Sequence, residues 1–165
     1  MKTLIIMRHA KSSWDQTNLA DHDRPLKKRG ERDAPRMGEL LLDEDLTPDL
    51  IISSSAKRAV ATAEAAADAC DYAGNIVVTR NLYHADPDTF IDELQGITDQ
   101  SSVVVMVVGH NPGLEELLEE LTGVWQRLPT AAIAIVNLPV NSWEELNDMT
   151  RGSLVNLWTP KSIAG

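Results

Sequence analysis

Val103-Val104-Val105-Met106-Val107-Val108, running directly into Gly109-His110-Asn111-Pro112-Gly113, is the stretch that decides the fold. Six consecutive apolar residues, five of them β-branched, suit a strand buried on both faces, as a central parallel strand covered by helices would be. The glycines and proline that follow end the strand and turn the chain into Leu114–Leu121, which has helical period. Working outward, Thr3–Met7 has the same buried-strand character and stops at Arg8-His9. Leu50-Ile51-Ile52 leads into Ser53-Ser54-Ser55, and Gly74-Asn75 turns the chain into Ile76-Val77-Val78. Ala131–Leu138 and Leu154–Trp158 complete the set of short strands.

Between the strands lie segments of helical character. Ala56–Cys70 is rich in alanine and has no Gly or Pro. Pro25 and Gly30 punctuate the approach to a helix ending near Leu42, and Pro35 leaves its first residue open, because proline fits best in a first turn. Pro87 opens a short helix through Leu94, with Asp86 placed to cap it. Arg8 to Pro25 is polar and irregular and reads as a long loop over one edge of the sheet. With 165 residues and no repeat or linker, the chain is expected to be α/β: a single three-layer domain over residues 1–165, with a central, mostly parallel sheet flanked by helices.

Charge narrows the function classes. The chain carries 15 Lys and Arg against 25 Asp and Glu, a formal net charge of -10 at pH 7, which is the wrong field for a general nucleic-acid binder. The bases are unevenly placed, however. Residues 1–36 hold nine of them and five acids, and the remainder holds six bases and 20 acids. The lone Cys70 excludes an internal disulfide and, in its alanine-rich setting, reads as a small buried hydrophobe. No apolar run approaches the ~20 residues of a membrane span, and the N-terminal one is too short for a signal peptide. A soluble, cytoplasmic protein without nucleic-acid or membrane partners is expected. Its four histidines lack ligand spacing, so neither a metal nor a cofactor is expected.

Ligands of open α/β sheets bind beyond the carboxyl ends of the strands. Three such ends carry related chemistry here: Arg8-His9, the serines leading to Arg58, and His110 at a helix start. Two guanidiniums, two imidazoles and free helix amides make a set complementary to a phosphoryl group.

These residues sit in a recognisable string. Met7-Arg8-His9-Ala10-Lys11-Ser12-Ser13-Trp14 is followed by Asp23-Arg24-Pro25-Leu26 with Arg29-Gly30, and then by Ser53-Ser54-Ser55-Ala56-Lys57-Arg58-Ala59 with Thr62-Ala63-Glu64. Val108-Gly109-His110-Asn111-Pro112-Gly113-Leu114 closes the series. Along nearly its whole length the chain resembles the histidine phosphatase (phosphoglycerate-mutase-like) superfamily, and within it the SixA-type phosphohistidine phosphatases. The resemblance implies a phosphoglycerate-mutase-like fold and a metal-independent phosphatase in which His9 attacks phosphorus and carries a transient phosphoryl group. It implies that Arg8, Arg58 and His110 hold the phosphoryl oxygens, with Arg24 reaching the pocket edge. Trp14, in the loop after His9, Asn111 and His84 are further candidate substrate contacts, His84 also having the plainer reading of a loop residue. Like charge on the neighbouring arginines would keep His9 unprotonated.

Three departures bear on substrate. Ala10 replaces the usual glycine, and Ser55 stands where relatives often have proline. Many relatives have a proton-donating carboxylate near Leu82-Tyr83-His84-Ala85, where this chain offers His84 and, two residues on, Asp86. A phosphoramidate needs less proton assistance to leave than an alkyl phosphate, so the missing acid favours phosphohistidine on a protein over a small phosphorylated substrate. The alternatives are a broad small-molecule phosphomonoesterase and a phospho-binding module with little catalysis. Plainer readings suit the rest: His22 as a loop residue, Lys27-Lys28-Arg29 as a solvated helix start, and Glu115-Glu116 and Glu119-Glu120 as exposed faces. Trp125, Trp143 and Trp158 are expected to pack in the core or its rim.

Overall fold

In the computed structural model, which describes residues 1–16 and 18–163, six strands form one sheet in the order β3-β2-β4-β1-β5-β6. They are β1 (Lys2–Arg8), β2 (Leu50–Ser54), β3 (Ile76–Thr79), β4 (Val104–Gly109), β5 (Ile133–Leu138) and β6 (Ser153–Trp158). The helices are α1 (Lys28–Asp43), α2 (Lys57–Ala69), α3 (Pro87–Gln95), α4 (Gly113–Thr122) and the short α5 (Pro160–Ile163). β1, β2, β3 and β4 are mutually parallel, whereas β5 and β6 pair antiparallel on the other side of β1. Thr17, in the long polar connection, and residues 164 and 165 lie outside the described residues.

Period-two alternation explains the unbroken apolar runs. Leu4 and Ile6 of β1, with Val105 and Val107 of β4, point into the core shared with α3 and α4. Ile5, Met7, Met106 and Val108 point to the other face, into the core shared with α1 and α2. β1 and β4 are therefore buried on both faces, which gives the three layers and explains their apolar residues at successive positions.

Boundaries differ from the sequence expectation where side chains do more than pack. β2 runs on through two serines, because Ser53 donates to the Ser54 carbonyl and Ser54 pairs with His110. Pro35 lies inside α1, not in its first turn. Its missing N–H leaves one turn unbonded, and burial of Ala34, Met37 and Leu41 against α2 holds the helix together instead. β5 starts at Ile133, since Ala131 adopts φ 63° and gives its N–H to the His9 carbonyl.

The polar connection is more ordered than an irregular loop. Ser12 bridges to Leu26, Ser13 N–H reaches the Pro25 carbonyl, and Asp21–Asp23 form one turn of 3-10 helix. Of the tryptophans, Trp143 is a core residue whose indole N–H donates to Ser102 O at 2.6 Å, and Trp158 packs half-buried. Trp125 is exposed, against expectation, because the turn after α4 carries it past the edge of the core. Glu115 is likewise no solvated residue, for its carboxylate accepts the Leu128 N–H at 2.9 Å. Among the described residues no helix is long and apolar enough to cross a membrane.

Candidate active site

Because β1, β2 and β4 are adjacent and parallel, their carboxyl ends open on one edge of the sheet. β4, inserted between β2 and β1, marks the point where the chain reverses its winding. His9 follows the last residue of β1 and is clamped on both sides by its backbone. Its N–H donates to Gly109 O at 3.1 Å, and its carbonyl accepts the Ala131 N–H at 3.0 Å. The next residue, Ala10, is pinned by Thr62 Oγ1, which itself donates to the carbonyl of Arg58. Ala10 is fully buried, its methyl part of the core.

The imidazole of His9 is 7% exposed and its Nδ1 lies 2.8 Å from the Ala10 carbonyl. A carbonyl can only accept, so Nδ1 carries the proton and the neutral ring keeps its lone pair on Nε2. Burial pushes the His9 pKa down to about 4, helped by Arg58, Arg8 and Arg24 and opposed by the Ala10 hydrogen bond. His110, at the end of β4, tilts against His9 with ring centroids 5.1 Å apart. Its Nδ1 faces Arg58 Nη2, and its Nε2 therefore donates to Ser54 Oγ at 2.8 Å. Burial first, then repulsion from a protonated His9 and from Arg58, lower its pKa to about 3.

Arg58, in the first turn of α2, is 3% exposed. Its Nη1 donates to the Asp21 carbonyl at 2.7 Å and its Nη2 to the Asp21 carboxylate at 3.0 Å. Arg8 reaches the Leu128 carbonyl at 3.1 Å. Among the described residues the Nε atoms of both arginines are buried without a hydrogen-bond acceptor, which is rare in protein interiors and fits an oxyanion.

The sequence profile of the histidine phosphatase superfamily (branch 1) matches residues 4–86 of the chain. The chain belongs to this superfamily. An uncharacterised chloroplast protein of Arabidopsis thaliana is 36% identical over 152 residues, 87% of this chain and 70% of that one. A candidate phosphohistidine phosphatase, SixA, from Agrobacterium tumefaciens superposes with a TM-score of 0.79 at 29% identity, covering 96% of this chain and 98% of the other. The protein histidine phosphatase SixA complexed with tungstate shares the fold, with a TM-score of 0.82 at 24% identity over 96% and 97% of the two chains.

In this member of the superfamily Arg8, His9, Arg58 and His110 are brought together; the other nominated residues take more varied places. Arg24 is a fastener. All three of its guanidinium nitrogens are engaged, by Ser13 O, the Asp21 carboxylate and Ser12 Oγ, and the exposed Trp14 ring lies over its Cζ at 3.2 Å. Trp14 is thereby tied to Arg24. Asn111 holds the Leu128 carbonyl at 2.9 Å, beside Arg8. His84, with φ 53°, stands 5.1 Å ring to ring from His110, and with Asp86 and Asn111 it lines a small cavity of about 140 Å³. His22 bonds Ser55 Oγ at 2.8 Å, which gives the serine at the usual proline position a use.

Asp21 is the residue that sequence reasoning missed. Its carboxylate meets Arg24, Arg58, the Tyr83 hydroxyl at 2.5 Å and His84 Nε2 at 3.2 Å. Burial works against its ionisation, yet the Tyr83, Arg24 and Arg58 hydrogen bonds prevail and hold it well below the usual carboxylate range. The available signal was the three-residue spacing Asp21 to Arg24, which one helical turn converts into an ion pair at 2.9 Å.

Proposed function

We propose that this member of the histidine phosphatase superfamily removes phosphoryl groups from protein-borne phosphohistidine through a phospho-His9 intermediate. The observation that carries the reading is the fixed tautomer of His9: Nδ1–H held by Ala10, lone pair on Nε2, guanidiniums on either side. In the first step the Nε2 lone pair forms a bond to phosphorus. The substrate P–N bond breaks, and its electrons return to the leaving nitrogen, so that an imidazole already protonated on its other nitrogen departs neutral. Arg8, Arg58 and His110 counter the charge on the equatorial oxygens. Phospho-His9 then bears positive charge on a ring whose Nδ1–H already points at a carbonyl. Water attacks phosphorus, the P–Nε2 bond electrons return to Nε2, and the water protons stay with the released phosphate.

The choice of leaving group rests on Asp21. A carboxylate does stand on the side where relatives have a proton donor, supplied by a different loop, but its partners keep it ionised. An ionised carboxylate cannot protonate an alkoxide, and it suits an imidazolium N–H. The test is incubation with a phosphorylated histidine-containing protein in the presence of EDTA, an alkaline quench, and mapping of acid-labile phosphate. Label on His9, loss of turnover in His9→Ala with an unchanged circular dichroism spectrum, and a kcat/KM above that for alkyl phosphates are expected. Turnover in His9→Ala would overturn the mechanism, and a preference for alkyl esters would overturn the substrate class. Tight binding without label would make the protein a phospho-binding module.

A further inference from the structure

A cavity of about 530 Å³ lies between α1, the segment before β5 and the residues after β6. Arg8, His9, Arg58 and His110 do not line it, although Arg127, which does, is near enough to Arg8 to help lower its pKa. Arg29, Arg32 and Arg36 share one face of α1 because they are three and four residues apart. Arg127 and Lys161 enter from the other elements. Asp33 is the one acid among the lining residues and is 3% exposed. It accepts from Arg32 Nε at 3.2 Å and Arg36 Nη1 at 3.4 Å, with Arg29 Nε 3.9 Å away. Five cations and one carboxylate leave a local excess of four positive charges on a chain whose net charge is -10.

Fold stability does not account for this. Asp33, interleaved with the three arginines of α1, offsets one of their charges, and the remaining like charges at three- and four-residue spacing destabilise a helix. The side chains of Arg29 and Arg32 are more than half exposed, and their terminal nitrogens have no acceptor among the described residues. The volume is that of a small-molecule pocket, and its concavity suits a compact ligand more than a protein surface. Guanidinium forks match phosphate oxygens two at a time. No aromatic ring lines the cavity, so it offers no stacking face for a nucleobase. A single phosphate dianion would leave part of the charge unmet, whereas two linked phosphoryl groups would balance it.

We propose that this cavity is a second anion site, separate from the catalytic one, that takes a compact ligand with two or more linked phosphoryl groups and no base. Calorimetric titration with tripolyphosphate, pyrophosphate and phosphate tests it on the full chain and on Arg58→Ala, Arg127→Ala and Arg36→Gln. Arg127 has no ion pair among the described residues, so its removal leaves the Asp33 pairs intact. Expected are tripolyphosphate binding that survives in Arg58→Ala, weakens about tenfold in Arg127→Ala and Arg36→Gln, and fades as salt shortens the Debye length from about 30 Å to about 3 Å. Loss of binding in Arg58→Ala would place the ligand at the catalytic arginines and overturn the proposal. Unchanged binding in Arg127→Ala, or phosphate binding as tightly as tripolyphosphate, would overturn it equally.

Discussion

Acidification should leave His9 competent as a nucleophile well past the point at which an ordinary histidine stops. With a pKa of about 4, against 6.5 for the free side chain, about 97% of His9 is neutral at pH 5.5, where an unperturbed imidazole would be about 9% neutral. The rate of His9 phosphorylation per bound donor should therefore stay nearly flat from neutral pH to 5.5 and fall only near pH 4. Phosphate groups titrate near pH 6, so single-turnover labelling with two donors of different phosphate pKa separates the donor from the enzyme. Nitrogen-15 correlation spectra of the imidazoles give the same midpoint directly and report the Nδ1–H tautomer. A midpoint near 6.5, or a proton on Nε2, would refute both the burial argument and the nucleophile assignment. Stability is linked to the same protons. The unfolded chain takes up protons at His9 and His110 below about pH 6.5, and the native state refuses them until about pH 4 and 3. Unfolding free energy should thus fall as pH drops from 6.5 towards 4, by on the order of 3 kcal/mol for His9 alone. The depressed pKa of Asp21 adds stability above the ordinary carboxylate pKa that is lost only at lower pH, so urea midpoints against pH resolve the two windows.

Other perturbations act on single contacts. Arg58→Ala should lower kcat for a phosphohistidine substrate by on the order of 10²–10³, as removal of one preorganised donor does, and a loss below tenfold would remove Arg58 from the transition state. Ser54→Ala leaves the His110 Nε2–H without its acceptor inside the protein and should cost about 1–3 kcal/mol in urea unfolding. It should also lower kcat, which a purely structural serine would not. Gly113→Ala sets a methyl group against the Ala85 carbonyl at the start of α4, and a destabilisation of about 1–3 kcal/mol is expected from thermal unfolding.

The parts of the molecule that were legible in the sequence are those governed by local periodicity and strand ends. The runs Leu4–Met7 and Val104–Val108 are the central strands, buried on both faces, whereas the equally apolar Ile76-Val77-Val78 forms the edge strand β3 with Val77 and Val78 exposed. The residues following the two central runs, His9 and His110, share an edge. Asp21 was illegible for a different reason. It lies in a polar connection with no period, and its role arises from contacts with Arg58, Tyr83 and His84, which are 37, 62 and 63 residues away. Arg24 was half-legible: its nearness to the site is visible in the electrostatic pressure on His9, but the partners that occupy its nitrogens depend on how the 12–26 segment folds back on itself. Pro35 shows the same limit in reverse, since a strong local signal was overridden by packing against α2.

The uneven charge of the chain acquires a physical meaning from this geometry. Of the nine bases in residues 1–36, Arg8 lines the candidate active site and Arg24 fastens the loop beside it, and Arg29, Arg32 and Arg36 face the cavity on α1. Each region contains one carboxylate held by more than one arginine: Asp21 by Arg24 and Arg58 at the catalytic edge, and Asp33 by Arg32 and Arg36 on α1. The two carboxylates differ in burial: the Asp33 side chain is 5% exposed and that of Asp21 37%. Asp33 is thus a fixed counter-charge that keeps neighbouring guanidiniums from repelling one another. Asp21 stands at the open side, where a substrate phosphoryl group would meet Arg58 beside it. A dianion arriving there meets a carboxylate of its own sign, so binding is favourable only if the ligand also brings a group that Asp21 can accept from. Under the proposed reading an imidazolium N–H would supply that donor, whereas an alkyl ester without a hydroxyl group would not. On that reading the acidic residue at the mouth, more than the net charge of the body, would filter substrates.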